Sequence, residues 1–188
     1  FGLLLTSLGM IFVISPVFTV INKTINGFLA NMGTTNSILL GTLLGAMMSV
    51  DMGGPVNKAS YTFSIGVFTD TGNGAFMAAT MAGGMVAPLA IALASSLFKN
   101  KFDEKEKKSA ITNYILGASF ITEGAIPFAA KDPLRVIVSS VIGSAIAGGL
   151  TQAFGVKSPA PHGGIFILPA MESVDKALFF VLSVAVGS

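Results

Sequence analysis

The stretch "FITEGAIPFAAKDP", residues 120–133, interrupts a chain that is apolar for most of its length. It follows an uncharged run over 109–122 and brings in one carboxylate, Glu123, two prolines, Pro127 and Pro133, and the adjacent Lys131 and Asp132. Proline lacks the backbone N–H and biases its predecessor away from helix. Gly124 permits a tight turn. An unbroken helix through this stretch is therefore not expected. "VDMGGPVNK", residues 50–58, repeats the layout: an acid (Asp51), a proline four positions on (Pro55), then a lysine (Lys58), after the short apolar run 37–50. Broken backbone at membrane depth survives only inside protein or beside a wet cavity. Paired interrupted segments point to a transporter's binding site. The two segments are expected to converge on one cavity. Two ordinary surface loops, or an Asp51–Lys58 anchor, are the plainer alternatives.

Composition supports the membrane setting. The chain is 52% hydrophobic and only 11% charged, against about a quarter charged in soluble domains. Mean hydropathy is +0.78. Net charge is +2, and no basic patch with interleaved aromatics is present, so nucleic acid is not an expected partner. The absence of cysteine excludes disulfides, thiolate metal sites and cysteine nucleophiles.

Residues 3–21, 75–98 and 136–156 are uncharged and long enough to cross about 30 Å of hydrocarbon as helices. Pro16 is expected to kink the first. Residues 37–50 and 109–122 are too short to cross comfortably, and 177–187 reads as the first half of a helix. Residues 99–108, "KNKFDEKEKK", hold five lysines and three acids. They read as a solvated loop, and their lysine excess places it in the cytoplasm. Gly41 and Gly45 are spaced for close helix packing. The chain starts and stops within apolar segments, so residues 1–188 are expected to be one partial transmembrane domain, incomplete at both ends. The expected fold is all-α, an integral membrane protein with several transmembrane helices and re-entrant or broken-helix hairpins.

A third interruption is "SPAPHGGIF", residues 158–166. Its prolines and glycines forbid a regular helix and fit a re-entrant hairpin tip. His162 is the only histidine, so a histidine-rich metal site is excluded. No Walker loop and no Gly-x-Ser-x-Gly elbow occurs. No metal and no cofactor is expected. Carboxylates, amides, one imidazole and a few lysines remain. Such groups suit a polyhydroxylated ligand, because a carboxylate accepts from hydroxyls while Asn57 and Lys58 donate.

The blocks "MSVDMGGPVNKASYTF", "ITEGAIPFAAKDPLRVI" and "APHGGIF" closely resemble the membrane (IIC) component of fructose-type permeases of the bacterial phosphoenolpyruvate-dependent sugar phosphotransferase system. The chain is similar to the C-terminal half or so of that component. The resemblance implies a multi-pass protein of the bacterial inner membrane, surrounded by lipid and forming a homodimer. It would bind a hexose, with fructose the expected sugar, and present it to a phosphorylated IIB domain. In the related glucose superfamily a glutamate in a Gly-Ile-Thr-Glu-type motif contacts sugar hydroxyls. "FITEG" is similar to that motif, with Phe120 in place of the leading glycine. The resemblance thus assigns sugar binding to Glu123, and acceptance of the hydroxyl's proton during phosphoryl transfer is the further, catalytic role expected of it. Asp51, Asn57, Lys58 and His162 are the further candidates for sugar contact. Lys131 and Arg135 are candidates for contact with the phosphoryl donor. Interfacial snorkelling and helix capping around Pro133 is the alternative for that cluster. The donor residue itself is not in this chain, which is then part of a sugar phosphotransferase rather than a complete enzyme. Two other classes stay open: an ion-coupled secondary transporter in which Asp51 and Glu123 carry the coupling, and a scaffold subunit.

Overall fold

The computed structural model describes residues 7, 8, 11, 12, 16, 19, 20 and 37–188. The expected span over 3–21 and its kink lie for the most part outside the described residues. From residue 37 on, the chain is helical without strands. The helices are α1 (Ser37–Val50), α2 (Pro55–Thr71), α3 (Ala75–Leu97), α4 (Glu104–Ala118), α5 (Ile126–Lys131), α6 (Pro133–Ala153) and α7 (Val174–Gly187). Short 3-10 turns lie at Lys99–Lys101, Thr122–Ala125 and Gly164–Ala170.

α3 and α6 are long and apolar enough to cross a membrane, and both fall where the uncharged runs place them. α3 is the centre, packing against α1, α2, α4, α6 and α7. Its sequence explains that place. Alanine and glycine at 78, 79, 82, 83, 84 and 87 leave a slim helix that neighbours approach from all sides, and every one of these residues is buried. Met77, Met81 and Met85 fill the remaining gaps.

Polar groups sit inside and large apolar ones outside. Ser49, Ser60, Ser64, Thr80, Ser144 and Thr151 are buried, while Leu134, Val138, Ile142 and Ile146 form an exposed stripe along α6. Water as the only solvent would oppose this arrangement; hydrocarbon permits it. The buried hydroxyls are paired. Ser144 Oγ donates to Gly83 O at 2.8 Å and meets Ser49 Oγ at 2.6 Å, which links α3, α6 and α1. Ser64 and Thr80 hydroxyls meet at 2.6 Å between α2 and α3.

The Gly41/Gly45 spacing has its partner. Gly41 faces Gly148 and Gln152 of α6, Gly45 faces Ser144 and Gly148, and Gly148 in turn lies against the Gly41 carbonyl. A Cβ on Gly83 would stand 2.5 Å from Gly45 Cα. Three backbones therefore meet at Gly45.

One expectation is corrected. The 99–108 stretch is not a plain loop, because α4 starts inside it. Asp103 Oδ1 accepts from Glu106 N at 2.8 Å, and the Glu106 carboxylate accepts from Asp103 N at 2.8 Å. This reciprocal capping box starts a helix among charges that apolar periodicity does not see. The helix also stops within the apolar run over 109–122, at Ala118.

Candidate functional site

The turn between α1 and α2 places the first group. Met52 and Gly53 hold φ at 45° and 120°, so the chain reverses tightly and the Asp51 carboxylate points back at the start of α2. Its Oδ2 accepts from Val56 N at 2.7 Å and its Oδ1 from Asn57 N at 2.9 Å. Pro55, at the first helical turn, has no N–H to lose. Asp51 is thus a helix cap, and a negative charge there also opposes the helix dipole. Asn57, nearly fully buried, extends Nδ2 to Met48 O at 2.7 Å and to Thr122 Oγ1 at 3.3 Å. That amide ties α1 and α2 to the second interrupted segment.

The second segment begins where α4 ends. Ile121 N donates to Leu116 O at 2.8 Å and Phe120 N to Gly117 O at 3.1 Å, the two bonds of a Schellman motif. The residue between them must be left-handed, and here it is Phe120, at φ 62°. For a residue with a Cβ this conformation is unfavourable by roughly 1–2 kcal/mol. The chain then runs through the 3-10 turn carrying Glu123. Unlike Asp51, Glu123 does not cap the helix that follows it. Its Oε1 meets Lys58 Nζ at 3.3 Å, with the two side chains 47% and 53% exposed. A Cβ on Gly53 would lie 2.8 Å from Glu123 Oε1, so the glycine turn makes room for this carboxylate.

The third segment arrives between α6 and the last 3-10 turn. Ser158 N donates to Gly74 O at 3.0 Å. Gly163 and Gly164, at φ 133° and 58°, turn the chain, and His162 comes to lie beside Phe120 and Tyr61.

These three segments enclose a cavity of about 280 Å³, near the lower end of the range of roughly 300–1,000 Å³ usual for small-molecule sites. α1 and α2 contribute Met48, Asn57, Lys58 and Tyr61; the rest of the wall is residues 120–123 and His162. Of the residues singled out from the sequence, Glu123, Lys58, Asn57 and His162 come together. Asp51 does not: it borders a separate cavity with Ile126 and Ile137. Lys131 and Arg135 do not either. They line a third cavity of about 660 Å³ together with Lys101. There Lys131 pairs with Glu106, and Arg135 NH1 lies 3.5 Å from Asp132 Oδ2. The hydrogen bond between them holds Glu106 below and Lys131 above their ordinary values. Asp132 caps α6 through Arg135 N at 3.2 Å, as the capping alternative for this cluster requires. Tyr61, Phe120 and Thr122 were not singled out as contacts. Tyr61 could have been, because it is one helical turn beyond Asn57 and Lys58 and so shares their face.

The groups present can do specific chemistry. A half-exposed ion pair contributes only about 0–1 kcal/mol, so a ligand hydroxyl can displace Lys58 from one Glu123 oxygen at little loss. Glu123 accepts, Lys58 donates, and the Tyr61 and Phe120 rings offer an apolar wall.

Asp51→Ala is expected to destabilise the protein by about 0.5–2 kcal/mol through loss of the cap, with Asp51→Asn milder. Thermal unfolding of the detergent-solubilised full-length protein measures this. Unchanged stability in the alanine variant would contradict the capping role.

The family model for the phosphotransferase system, EIIC, matches residues 1–144. The chain is 48% identical over 188 residues to the PTS system fructose-specific EIIABC component of Bacillus subtilis (strain 168), covering 100% of this chain and 29% of that protein. It is 49% identical over 187 residues to the fructose permease IIC component of Bacillus amyloliquefaciens, covering 100% of this chain and 60% of that protein. It is 49% identical over 184 residues to the PTS system fructose-specific EIIB'BC component of Rhodobacter capsulatus, covering 98% of this chain and 32% of that protein. The chain therefore spans less than two thirds of the length of each of these relatives. No solved structure matches it.

Proposed function

Because this chain belongs to the phosphotransferase system EIIC family, we propose that it is the C-terminal part of a multi-pass inner-membrane permease that binds fructose and presents it for phosphorylation by a IIB domain. The observation that carries this reading is the convergence of three helix-breaking segments on one cavity holding Glu123, Lys58, Asn57 and His162. That polar set matches a sugar's hydroxyls. The names of relatives that join B and C parts in one chain support the choice of partner.

In this reading Glu123 accepts a hydrogen bond from the hydroxyl to be phosphorylated. As the hydroxyl oxygen forms its bond to phosphorus, the donor's bond to phosphorus breaks and the proton passes to a Glu123 oxygen. Lys58 and His162 contact other hydroxyls. Positioning and charge stabilisation supply most of the acceleration in transfers of this kind. The cavity lined by Lys101, Lys131 and Arg135 lies on the cytoplasmic side with the lysine-rich 99–108 stretch. There the cations attract the phosphorylated donor. The re-entrant hairpins are the segments around Glu123 and His162. The exposed stripe on α6 is the surface for lipid and for the second copy of a homodimer.

Fructose uptake by the full-length permease is expected to require phosphorylated IIB and to persist when ion gradients are collapsed by ionophores. Accumulation of unmodified sugar driven by an ion gradient would instead identify a secondary transporter.

A further inference from the structure

Nothing in the backbone asks for phenylalanine at position 120. The Schellman turn there favours glycine, and the ring must account for the residue. It is nearly fully buried. One side is seated against α3, where Gly84 makes room: a Cβ on Gly84 would fall within 2.9 Å of Phe120 Cδ2. On another side the ring meets His162 at 5.1 Å between centroids and Tyr61 at 6.0 Å, with Tyr61 and His162 edge to face at 6.2 Å. His162 is exposed, and among the described residues its imidazole has no hydrogen-bond partner. The hairpin that carries it is pinned at its ends, by Ser158 N on Gly74 O at 3.0 Å and by Gly164, where a Cβ would lie 3.0 Å from Phe120 N. What orients the imidazole between those pins is the aromatic corner.

We propose that Phe120 is a positioning residue, whose ring, seated against Gly84, holds the His162 imidazole at the cavity as a polar contact to the sugar beside Glu123 and Lys58. This rests on the sugar-site reading above. It accounts for a left-handed phenylalanine: glycine would relax the backbone and leave the imidazole without its support. Phe120 acts through His162 and has no part in the proton transfer.

The test is a double-mutant cycle on the full-length permease, titrated directly with fructose. His162→Gln and Phe120→Leu are each expected to weaken binding roughly three- to ten-fold, the scale of one neutral hydrogen bond. The double variant should be no weaker than either single one. Losses that multiply, or a Phe120→Leu protein that binds like the parent, overturn the proposal. A second readout needs no sugar. The difference between parent and His162→Gln NMR spectra identifies the imidazole resonances, whose through-space (NOE) contacts to the Tyr61 ring should be lost in Phe120→Leu. Contacts to the Tyr61 ring that persist in Phe120→Leu also overturn it. If Phe120→Leu fails to fold, Phe120→Met, which fills a similar volume without an aromatic ring, replaces it in both measurements. A folded parent that binds no fructose rejects the sugar site itself, while the imidazole–Tyr61 contacts still decide whether Phe120 orients His162.

Discussion

Glu123→Gln is expected to weaken fructose binding by roughly 1–3 kcal/mol, the scale of a charge-assisted hydrogen bond, or about five- to 150-fold. Phosphorylation should fall further than binding, because glutamine cannot take the hydroxyl proton. The structure makes this substitution a clean one. Glutamine keeps the shape that packs against Gly53. The ion pair it breaks is half exposed and contributes little to folding. Melting behaviour should therefore stay with the parent while both functional readouts drop. Binding is measured by titrating the full-length permease with fructose, and transfer by supplying phosphorylated IIB. A folded variant that binds and is phosphorylated normally would reduce Glu123 to a structural residue.

Gly45→Val is expected to have the largest effect on stability. A valine there would collide with the α6 backbone at the Ser144 carbonyl and Gly148, and the Gly45 backbone has no room to retreat because Gly83 of α3 lies against it. Side chains can rotate away from a clash; three helix backbones held by the Ser49–Ser144–Gly83 hydrogen bonds cannot. Overpacking of this kind costs about 1–3 kcal/mol where neighbours can yield, and here they are backbone atoms, so the loss should lie at or above the top of that range. Gly66 is the control. Nothing lies within 4 Å of a Cβ placed on it, and alanine favours a helix over glycine by roughly 0.5–1 kcal/mol. Gly66→Ala should melt at or above the parent temperature and Gly45→Val well below it or not fold at all. Equal melting of the two proteins would mean that the three backbones do not meet as described.

The helices that the sequence announces are those whose stability lies in uninterrupted apolar length, α3 and α6. α4 was mislaid at both ends because local hydrogen bonding decides them. Asp103 and Glu106 cap its start among lysines, and a Schellman turn ends it inside an apolar run. The two acid–proline–lysine segments are alike as text and diverge in space. Asp51 turns back onto its own helix, whereas Glu123 leaves its helix to meet Lys58 across 65 positions of chain. Spacing alone cannot separate these outcomes, since a carboxylate near a broken helix suits a cap as well as a ligand. Tyr61 and Phe120 escaped notice for a related reason: aromatic residues in an apolar chain carry no mark that distinguishes wall from core.

The Lys58–Glu123 pair bears on what happens after transfer. Empty, the cavity is electrically balanced by its own two charges, and a neutral sugar enters without disturbing that balance. In the proposed mechanism the phosphoryl group forms on the very oxygen that Glu123 holds. Once the carboxylate has released the proton it took, it faces the new phosphate. Two like charges about 4 Å apart repel by roughly 1 kcal/mol in water and about 4 kcal/mol at the effective dielectric near a protein surface. The substrate's partner thereby becomes the product's opponent. Under this proposal, uptake would acquire its one-way character from a change of charge on the cargo, the carboxylate that captures sugar being the one that repels sugar phosphate.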